Sequence, residues 1–185
     1  MSHSKNALKS SSHPGLPPLY IGLLSTSPIG PIWVAVSDLG LVMVEWSMTE
    51  ADFSRQVEQH FHKYALYDHK RTTEPLQELA AYLEGNLRQF SQPLDLSGMT
   101  SFQQRVLKLT TLIPYGQTST YKEIAALSGN PNSARAVGRV EATNPIPLVI
   151  SCHRVLGTDG SLHGYGGPGG IKLKAWLLQL ERSPQ

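Results

Sequence analysis

Short apolar runs separated by turn-forming residues dominate the first third of the chain. The runs lie at Leu19–Leu24, Ile32–Val36 and 39–46, and the segment SPIGP (27–31) separates the first two. Apolar runs rich in β-branched residues and bounded by Gly, Pro, Ser and Asp are typical of short strands joined by tight turns. The pattern therefore predicts an antiparallel sheet in this part of the chain.

Helical periodicity replaces these runs from residue 49 onward. Thr49 is a suitable N-cap for a first helix, whose apolar positions recur at a spacing of three or four residues. The positions on this face are Phe53, Val57, His60, Phe61 and Tyr64. A second helix is expected to begin near Thr73 with Pro75 in its first turn. Its predicted apolar face consists of Leu76, Leu79, Ala80, Leu83 and Leu87. Pro93 and Gly98 mark a boundary within 92–98.

The second half of the chain is predicted to be mostly helical. A first helix there has Phe102, Val106, Leu109 and Leu112 on its apolar side. A second helix, Tyr121–Leu127, is expected to be capped by Thr118 or Ser119, and the turn NPNS (130–133) leads to a third, Ala134–Ala142. Short helices joined by a Gly-containing turn fit a helix-turn-helix, with the third helix in the recognition position. The final helix is expected over 171–182.

These patterns divide the chain into three predicted units. Residues 1–18 are rich in Ser, His and Pro without the apolar core of a signal peptide, and they indicate a disordered lead-in. Residues 19–95 are expected to form an α/β domain with an antiparallel sheet. Residues 96–185 are expected to form a mostly α domain with a winged-helix-like or plain helix-turn-helix.

Charge is unevenly divided between the two halves. The formal net charge is +2, but residues 1–95 carry 7 basic and 10 acidic side chains (−3), whereas residues 96–185 carry 9 and 4 (+5). A basic C-terminal half suits a polyanionic partner such as DNA; chance variation in surface charge is the alternative. No apolar run approaches the length of a membrane span, so no membrane association is expected. A cytoplasmic location is expected, nucleoid-associated or, in a eukaryote, nuclear.

The single cysteine, Cys152, is the strongest chemical signal. One cysteine excludes an internal disulfide and a multi-cysteine zinc site. A lone cysteine is commonly a small buried apolar residue, but His153 and Arg154 follow it directly, after a predicted buried strand, LVI (148–150). A thiol needs a base or a positive field to become a thiolate. Glu181 is the carboxylate best placed to orient His153; surface exposure of His153 and Arg154 remains the alternative.

Several motifs, in order, resemble those of the O6-alkylguanine-DNA alkyltransferases, also called methylated-DNA–protein-cysteine methyltransferases. They are IPYG (113–116), YKEIA (121–125), SARAVG (133–138), NPIPLVISCHRV (144–155), GYGG (164–167), and WLL (176–178) with Glu181. The likeness is strong over 98–182 and weaker over 19–95. It implies direct-reversal DNA repair: irreversible, single-turnover transfer of an alkyl group from O6 of guanine to Cys152, after the base is flipped out of the duplex. O4-alkylthymine is left open as a second substrate. The resemblance implies no cofactor and no metal, and a monomer that binds the minor groove of double-stranded DNA.

The resemblance also implies roles for individual residues. Cys152, His153 and Glu181, with a water, match the proton-relay network, and Asn144 bridges the helix-turn-helix to the active-site strand. Tyr165 and the Gly166 amide stabilise the leaving guanine, while the carbonyls of Cys152 and Val155 bind its amino group. On the DNA side, Arg135 fills the gap left by the flipped base and Tyr121 crowds its phosphate; Ala134 and Arg154 are further expected DNA contacts.

Three departures from the family pattern bear on activity. Ser151 replaces the usual Pro before the cysteine, which predicts slower transfer because serine relaxes the φ restriction. Glu141 stands where relatives tend to have small residues or Met, and on an exposed helix face it would repel DNA phosphates. The segment GGPGG (166–170) is longer than usual and predicts a pocket that admits bulkier alkyl groups.

Two other functions stay open. A non-catalytic alkyltransferase-like protein would bind lesions and mark them for other repair machinery, although such proteins typically lack the cysteine. A helix-turn-helix transcriptional regulator would bind one undamaged DNA sequence.

Overall fold

A computed structural model describes residues 17–182, which begin with a four-stranded sheet. The strands are β1 (Leu19–Leu24), β2 (Ile32–Val36), β3 (Leu41–Trp46) and β4 (Ala65–Tyr67), in the order β3-β2-β1-β4. The predicted antiparallel pairings of β1 with β2 and of β2 with β3 are confirmed. The short β4, which pairs parallel to β1, was not predicted. Of the predicted lead-in, residues 1–16 lie outside the described residues.

Strand β2 is buried on both faces because the sheet lies between two groups of apolar side chains. Ile32, Val34 and Val36 point into the larger core, whereas Trp33 and Ala35 point into a smaller one. This division follows from the alternation of side chains along a strand.

Each face of the sheet is covered by one helix. Helix α1 (Glu50–Phe61) is capped by Thr49 as predicted, but it ends at Phe61, so Tyr64 is not part of it. Helix α2 (His69–Leu83) begins earlier than predicted, because the side chain of Asp68 accepts a hydrogen bond from the backbone N–H of Arg71. Pro75 is therefore inside the helix rather than in its first turn, and Leu87 lies beyond its end.

Four α-helices follow between residue 96 and residue 182, the last one described. They are α3 (Ser101–Thr111), α4 (Tyr121–Leu127), α5 (Ala134–Ala142) and α6 (Gly170–Arg182), with a 3-10 turn, Pro131–Ser133, between α4 and α5. The predicted helix-turn-helix spacing of α4 and α5 is confirmed, but the cap of α4 is Thr120, not Thr118 or Ser119. Leu112 lies outside α3 and is 74% exposed, so it does not belong to the apolar face.

The predicted strand at 148–150 is wrong. Leu148 has a positive φ of 73°, a left-handed conformation that turns the chain instead of extending it. Cys152–Arg154 then form a single 3-10 turn, and a two-residue strand, β6 (Val155–Leu156), pairs parallel with β5 (Ser119–Thr120). Cys152 is thus on a tight turn beside the helix-turn-helix.

One core joins the two halves of the molecule. It includes Val34 and Val44 of the sheet together with Val106, Val137 and Leu177 of the later helices. None of the helices within residues 17–182 has the length and apolar character required to cross a bilayer.

Candidate active site

The thiol of Cys152 lies at a cavity of about 460 Å³ between the sheet and the helical half. The side chain is only 5% exposed. Residues of both halves line the cavity: Met43, Glu45, Trp46, Gln56 and His60 from the first, and Glu141, Asn144, Cys152, Tyr165 and Gly166 among those from the second. The space is within the size range of small-molecule pockets.

Asn144 holds the thiol and the turn that carries it. Its side-chain nitrogen lies 3.2 Å from the Cys152 sulfur and 3.0 Å from the carbonyl oxygen of Ile150, and it donates to both. Its side-chain oxygen accepts from the backbone N–H of Ile146 at 3.0 Å, which fixes the orientation of the amide. Asn144 therefore connects the end of α5 to the cysteine turn, as the family resemblance implied.

The surroundings of Cys152 keep its side chain protonated at rest. Burial raises the pKa of its thiol to about 12, and the carboxyl group of Glu141 raises it further. The hydrogen bond from Asn144 and the charge of Lys174 oppose this shift. The resting side chain is consequently a neutral thiol, which must lose its proton in order to react.

His153 is oriented by Glu181 inside the protein. The imidazole Nε2 lies 2.8 Å from a Glu181 carboxylate oxygen. Burial alone would raise the pKa of Glu181, but hydrogen bonds from His153 and Arg154 outweigh it and hold the pKa at about 2. Because an ionised carboxylate accepts, Nε2 carries the hydrogen, and Nδ1, which is buried without a hydrogen-bond partner among the described residues, keeps its lone pair. Burial also lowers the pKa of His153, so the ring is a neutral base.

Arg154 is not on the DNA-binding surface, contrary to expectation. Its side chain is 8% exposed and its guanidinium donates to both carboxylate oxygens of Glu181, at 2.9 Å each. It also donates to the carbonyl oxygen of Ile113 at 2.6 Å. A buried carboxylate needs such a counter-charge, and this need explains why Arg154 points inward.

Tyr82 of α2 completes this buried group. Its hydroxyl donates to Glu181 at 2.7 Å and lies 3.1 Å from His153 Nε2. Burial, reinforced by Glu181, raises its pKa well above the usual value for tyrosine, so it remains a donor. The first half of the chain therefore helps to hold the histidine.

Lys174 of α6 is completely buried near the cysteine. Its ammonium group donates to the carbonyl oxygen of Val155 at 2.7 Å and lies 5.8 Å from the centre of the Tyr121 ring. Burial lowers its pKa, while Cys152 and Glu141 oppose that shift. The Val155 carbonyl thus has a partner within the protein, where the family resemblance implied a contact with guanine. The side chain of Val155 is fully buried.

Tyr165 and Gly166 lie on the glycine-rich loop at the rim of the cavity. The hydroxyl of Tyr165 is buried with no hydrogen-bond partner among the described residues. Burial and then the nearby Cys152 raise its pKa well above the usual value. Gly166 is exposed and lines the cavity, and its role as a backbone donor toward O6 stays a prediction.

The predicted DNA contacts on α4 and α5 come together in a neighbouring groove of about 460 Å³. Arg135 and Ala134 begin α5, and Tyr121 begins α4; all three line the groove together with Lys122. Arg135 is exposed and Tyr121 is half-buried. Ala142 lines both this groove and the Cys152 cavity, so the two are adjacent.

Glu141 does not face DNA, and the predicted repulsion of phosphates is wrong. It is 6% exposed, and one of its oxygens lies 2.5 Å from the Thr110 hydroxyl. The helical period explains the error, because Glu141 lies one residue after Val140 and four after Val137, on the buried side of α5.

Sequence reasoning missed Tyr82, Lys174 and Trp46. One face of α6 contains two charged residues among apolar ones: Lys174, Leu177, Leu178 and Glu181. Their spacing of three or four residues was the signal that could have indicated a buried lysine. Tyr82 similarly lies on the apolar face of α2, where a phenol requires a hydrogen-bond partner. Trp46 carried no comparable signal. Within residues 17–182, no three His, Cys, Asp or Glu side chains are grouped so as to hold a metal ion.

Comparison with known proteins gives consistent matches over the described chain. A family model described as "6-O-methylguanine DNA methyltransferase, ribonuclease-like domain" matches residues 19–96, and one described as "6-O-methylguanine DNA methyltransferase, DNA binding domain" matches 101–183. A methylated-DNA–protein-cysteine methyltransferase of Mycobacterium tuberculosis is 43% identical over 157 residues, covering 85% of this chain and 89% of the relative. That of Salmonella typhimurium is 36% identical over 159 residues, covering 84% and 91%.

Solved structures agree with these matches. The crystal structure of M. tuberculosis OGT in complex with DNA superimposes with a TM-score of 0.74 at 38% identity, covering 88% of this chain and 92% of that one. The O6-methylguanine-DNA methyltransferase of Pyrococcus kodakaraensis has the same fold, with a TM-score of 0.58 at 19% identity.

Proposed function

The chain belongs to the 6-O-methylguanine DNA methyltransferase family, and from this premise we propose that it takes its alkyl group from O6 of guanine in double-stranded DNA, reached from the minor groove. It is a methylated-DNA–protein-cysteine methyltransferase, which repairs DNA by direct reversal through alkyl transfer to a cysteine, and DNA is its partner. Its sequence contains a single cysteine. The observation that carries the proposal is the position of this thiol, at a cavity adjacent to the groove of α4 and α5.

The geometry supports a flipped guanine as the substrate. An alkyl group on O6 lies within the base stack, so a buried thiol reaches it only when the nucleotide leaves the duplex. The groove beside the cavity presents Arg135 at the beginning of α5 and Lys122 on α4. A planar, charged arginine side chain suits the space that an extruded base leaves in a minor groove.

The reaction is a displacement at the alkyl carbon. The Cys152 thiol loses its proton, and the sulfur electron pair forms a bond to the alkyl carbon while the carbon–O6 bond breaks. The electron pair of that bond remains on guanine, which takes up a proton. The lone pair of His153 Nδ1 takes up the thiol proton through the water that the family resemblance implies, and the Tyr165 hydroxyl is a donor toward the departing base. The product is a thioether, so each molecule reacts once.

Intact-mass measurement tests the substrate. The protein is incubated with duplexes containing O6-methylguanine, O4-methylthymine or guanine at the same position. We expect a mass gain of one CH2 group per molecule with O6-methylguanine, none with guanine, and none in Cys152→Ser. Binding without a mass gain supports the lesion-marking alternative, and preference for one undamaged sequence supports the regulator.

A second experiment tests the groove. Arg135→Ala is expected to weaken duplex binding and to lower transfer roughly tenfold or more, whereas Arg55→Ala, which removes the same charge from the exposed side of α1, has little effect. A minor-groove-binding polyamide targeted to the flanking sequence should inhibit transfer. Undiminished transfer with the polyamide bound argues against entry from the minor groove. A cytoplasmic location, nucleoid-associated or, in a eukaryote, nuclear, is part of the same proposal.

A further inference from the structure

Glu141 is a buried carboxyl group that the reaction described above does not use. It lies in the last turn of α5 and lines the same cavity as Cys152. Its Oε1 lies 2.5 Å from the Thr110 hydroxyl, while its Oε2 is buried with no hydrogen-bond partner among the described residues. A buried polar atom without a partner is costly, and such atoms are uncommon without a function.

The bonds of Thr110 bear on the protonation of Glu141. The Thr110 hydroxyl lies 3.0 Å from the carbonyl oxygen of Val106 as well as 2.5 Å from Glu141. A hydroxyl has one hydrogen and both neighbours are acceptors when Glu141 is ionised. Both contacts are hydrogen bonds only if Glu141 is protonated and donates to Thr110. The geometry therefore suits a neutral Glu141, and ionisation leaves one contact without a hydrogen.

Glu141 and the reacting sulfur line one cavity, and Asn144 connects the two residues. The backbone N–H of Asn144 donates to the Glu141 carbonyl oxygen at 3.3 Å, and the Asn144 side chain donates to the Cys152 sulfur at 3.2 Å. Other ionisable groups face the pair from the surrounding elements: Lys174 of α6, Tyr121 of α4 and Tyr165 of the loop. On the opposite side of the cavity are Glu45 of β3 and His60 of α1.

We propose that Glu141 is a positioning residue that acts through Cys152: once Glu141 is ionised, its negative charge opposes thiolate formation, so the reactivity of the cysteine stops rising with pH. The proposal rests on the assignment of Cys152 as the alkyl acceptor.

The physical reason is that two anions in one buried cavity repel each other. Burial raises the pKa of Glu141 to about 7, and the charge of Lys174 opposes this shift. Below this pH the thiolate forms beside a neutral carboxyl group, and its population rises about tenfold per pH unit. Above this pH, Glu141 and Cys152 together hold one proton. That proton lies either on the thiol or on Glu141, and the ratio of these two states does not depend on pH. The thiolate population therefore stops rising. A further increase in pH adds little thiolate until both Glu141 and Cys152 are ionised.

Alkylation of Cys152 by iodoacetamide tests this without DNA. In this reaction a sulfur–carbon bond forms, iodide leaves, and the thiol proton passes to solvent. The rate constant is measured by intact mass from about pH 5.5 to pH 9.5 for the full chain, for Glu141→Gln and for Thr110→Val. The Gln variant has nearly the same shape without the charge.

We expect the native rate to rise up to about pH 7 and then to flatten. In Glu141→Gln the rise should continue, so the ratio of variant to native rate grows on the order of tenfold between pH 7 and pH 9. Thr110→Val removes the hydroxyl that Glu141 contacts, so the pH of the break should change. The proposal would be overturned if the native protein and Glu141→Gln had parallel rate profiles. A break at the native pH in Thr110→Val would also overturn it. The proposed function fails separately, through absence of a mass gain with O6-methylguanine duplex.

Discussion

The indole nitrogen of Trp46 donates a hydrogen bond to the carbonyl oxygen of Pro168 at 3.0 Å, which joins the end of β3 to the glycine-rich loop. Trp46 is 1% exposed and lines the Cys152 cavity. Gly167 has a φ of +78° and a Cβ there would lie 2.8 Å from the indole ring, so the loop can approach Trp46 this closely only with glycine. The sheet thereby sets the position of Tyr165.

Trp46→Phe should lower alkyl transfer more than it lowers stability. The phenyl ring fills most of the indole space but cannot donate to Pro168, so the loop and Tyr165 lose their fixed position. We expect a roughly tenfold slower single-turnover rate, because small displacements of reacting groups are costly. Trp33→Phe is the matched control, since the Trp33 indole donates to the Met48 carbonyl at 3.1 Å. If both variants retain the native rate, the loop does not depend on Trp46.

Acid should unfold the protein through Glu181. Its pKa in the folded state is about 2 against an ordinary 4.5, mainly because hydrogen bonds from His153 and Arg154 overcome the effect of burial. A carboxyl whose pKa is lowered by folding stabilises the protein above about pH 4.5, and this contribution is lost as the pH falls toward 2. Urea unfolding at pH 7, 5, 4 and 3 should show this loss.

Glu181→Gln provides the comparison. It leaves Arg154 buried without its counter-charge and should cost about 3–5 kcal/mol at pH 7. Its free energy of unfolding should fall less than that of the native protein between pH 5 and pH 3. Equal slopes in the two proteins would show that other carboxyl groups control the acid transition.

The sequence predicted the elements better than the contacts between them. The hairpins at 19–46 and the helix Ala134–Ala142 follow from local alternation, caps and breakers, which act within a few residues. Strand β4 was not predicted because its three residues are not fully buried and show no clear alternation of apolar and polar side chains. Its pairing with β1 is set by packing.

The same limit applied within the site. Cys152, His153 and Asn144 were found from neighbouring residues, but the inward turn of Arg154 depends on a carboxylate 27 positions away. Likewise, the ionisation of Cys152 depends on burial and on Glu141, which adjacent residues do not reveal.

Ser151→Pro should be accepted and should increase transfer. Ser151 has a φ of −75°, within the range that proline imposes, and its hydroxyl donates to the Thr110 carbonyl at 3.2 Å. Restricting the turn should hold the Cys152 sulfur closer to its reacting position, and we expect a roughly two- to fivefold faster single-turnover rate. Ser151→Ala, which removes only the hydroxyl, separates the two effects. An unchanged or slower rate in the Pro variant would refute the explanation that serine slows transfer.

Lys174→Met should slow alkyl transfer even where the fold survives. The ammonium group lies in the same buried region as the Cys152 sulfur and lowers the pKa of that thiol, so its loss makes the thiolate rarer. The Val155 carbonyl also loses its donor at 2.7 Å. A shift of one pKa unit predicts about tenfold slower transfer at neutral pH, with partial recovery at higher pH. Lys172→Met, on the exposed side of the same helix, is the control and should react at the native rate. Equal rates in the two variants, with both folded by circular dichroism, would show that the buried charge of Lys174 does not act on the cysteine.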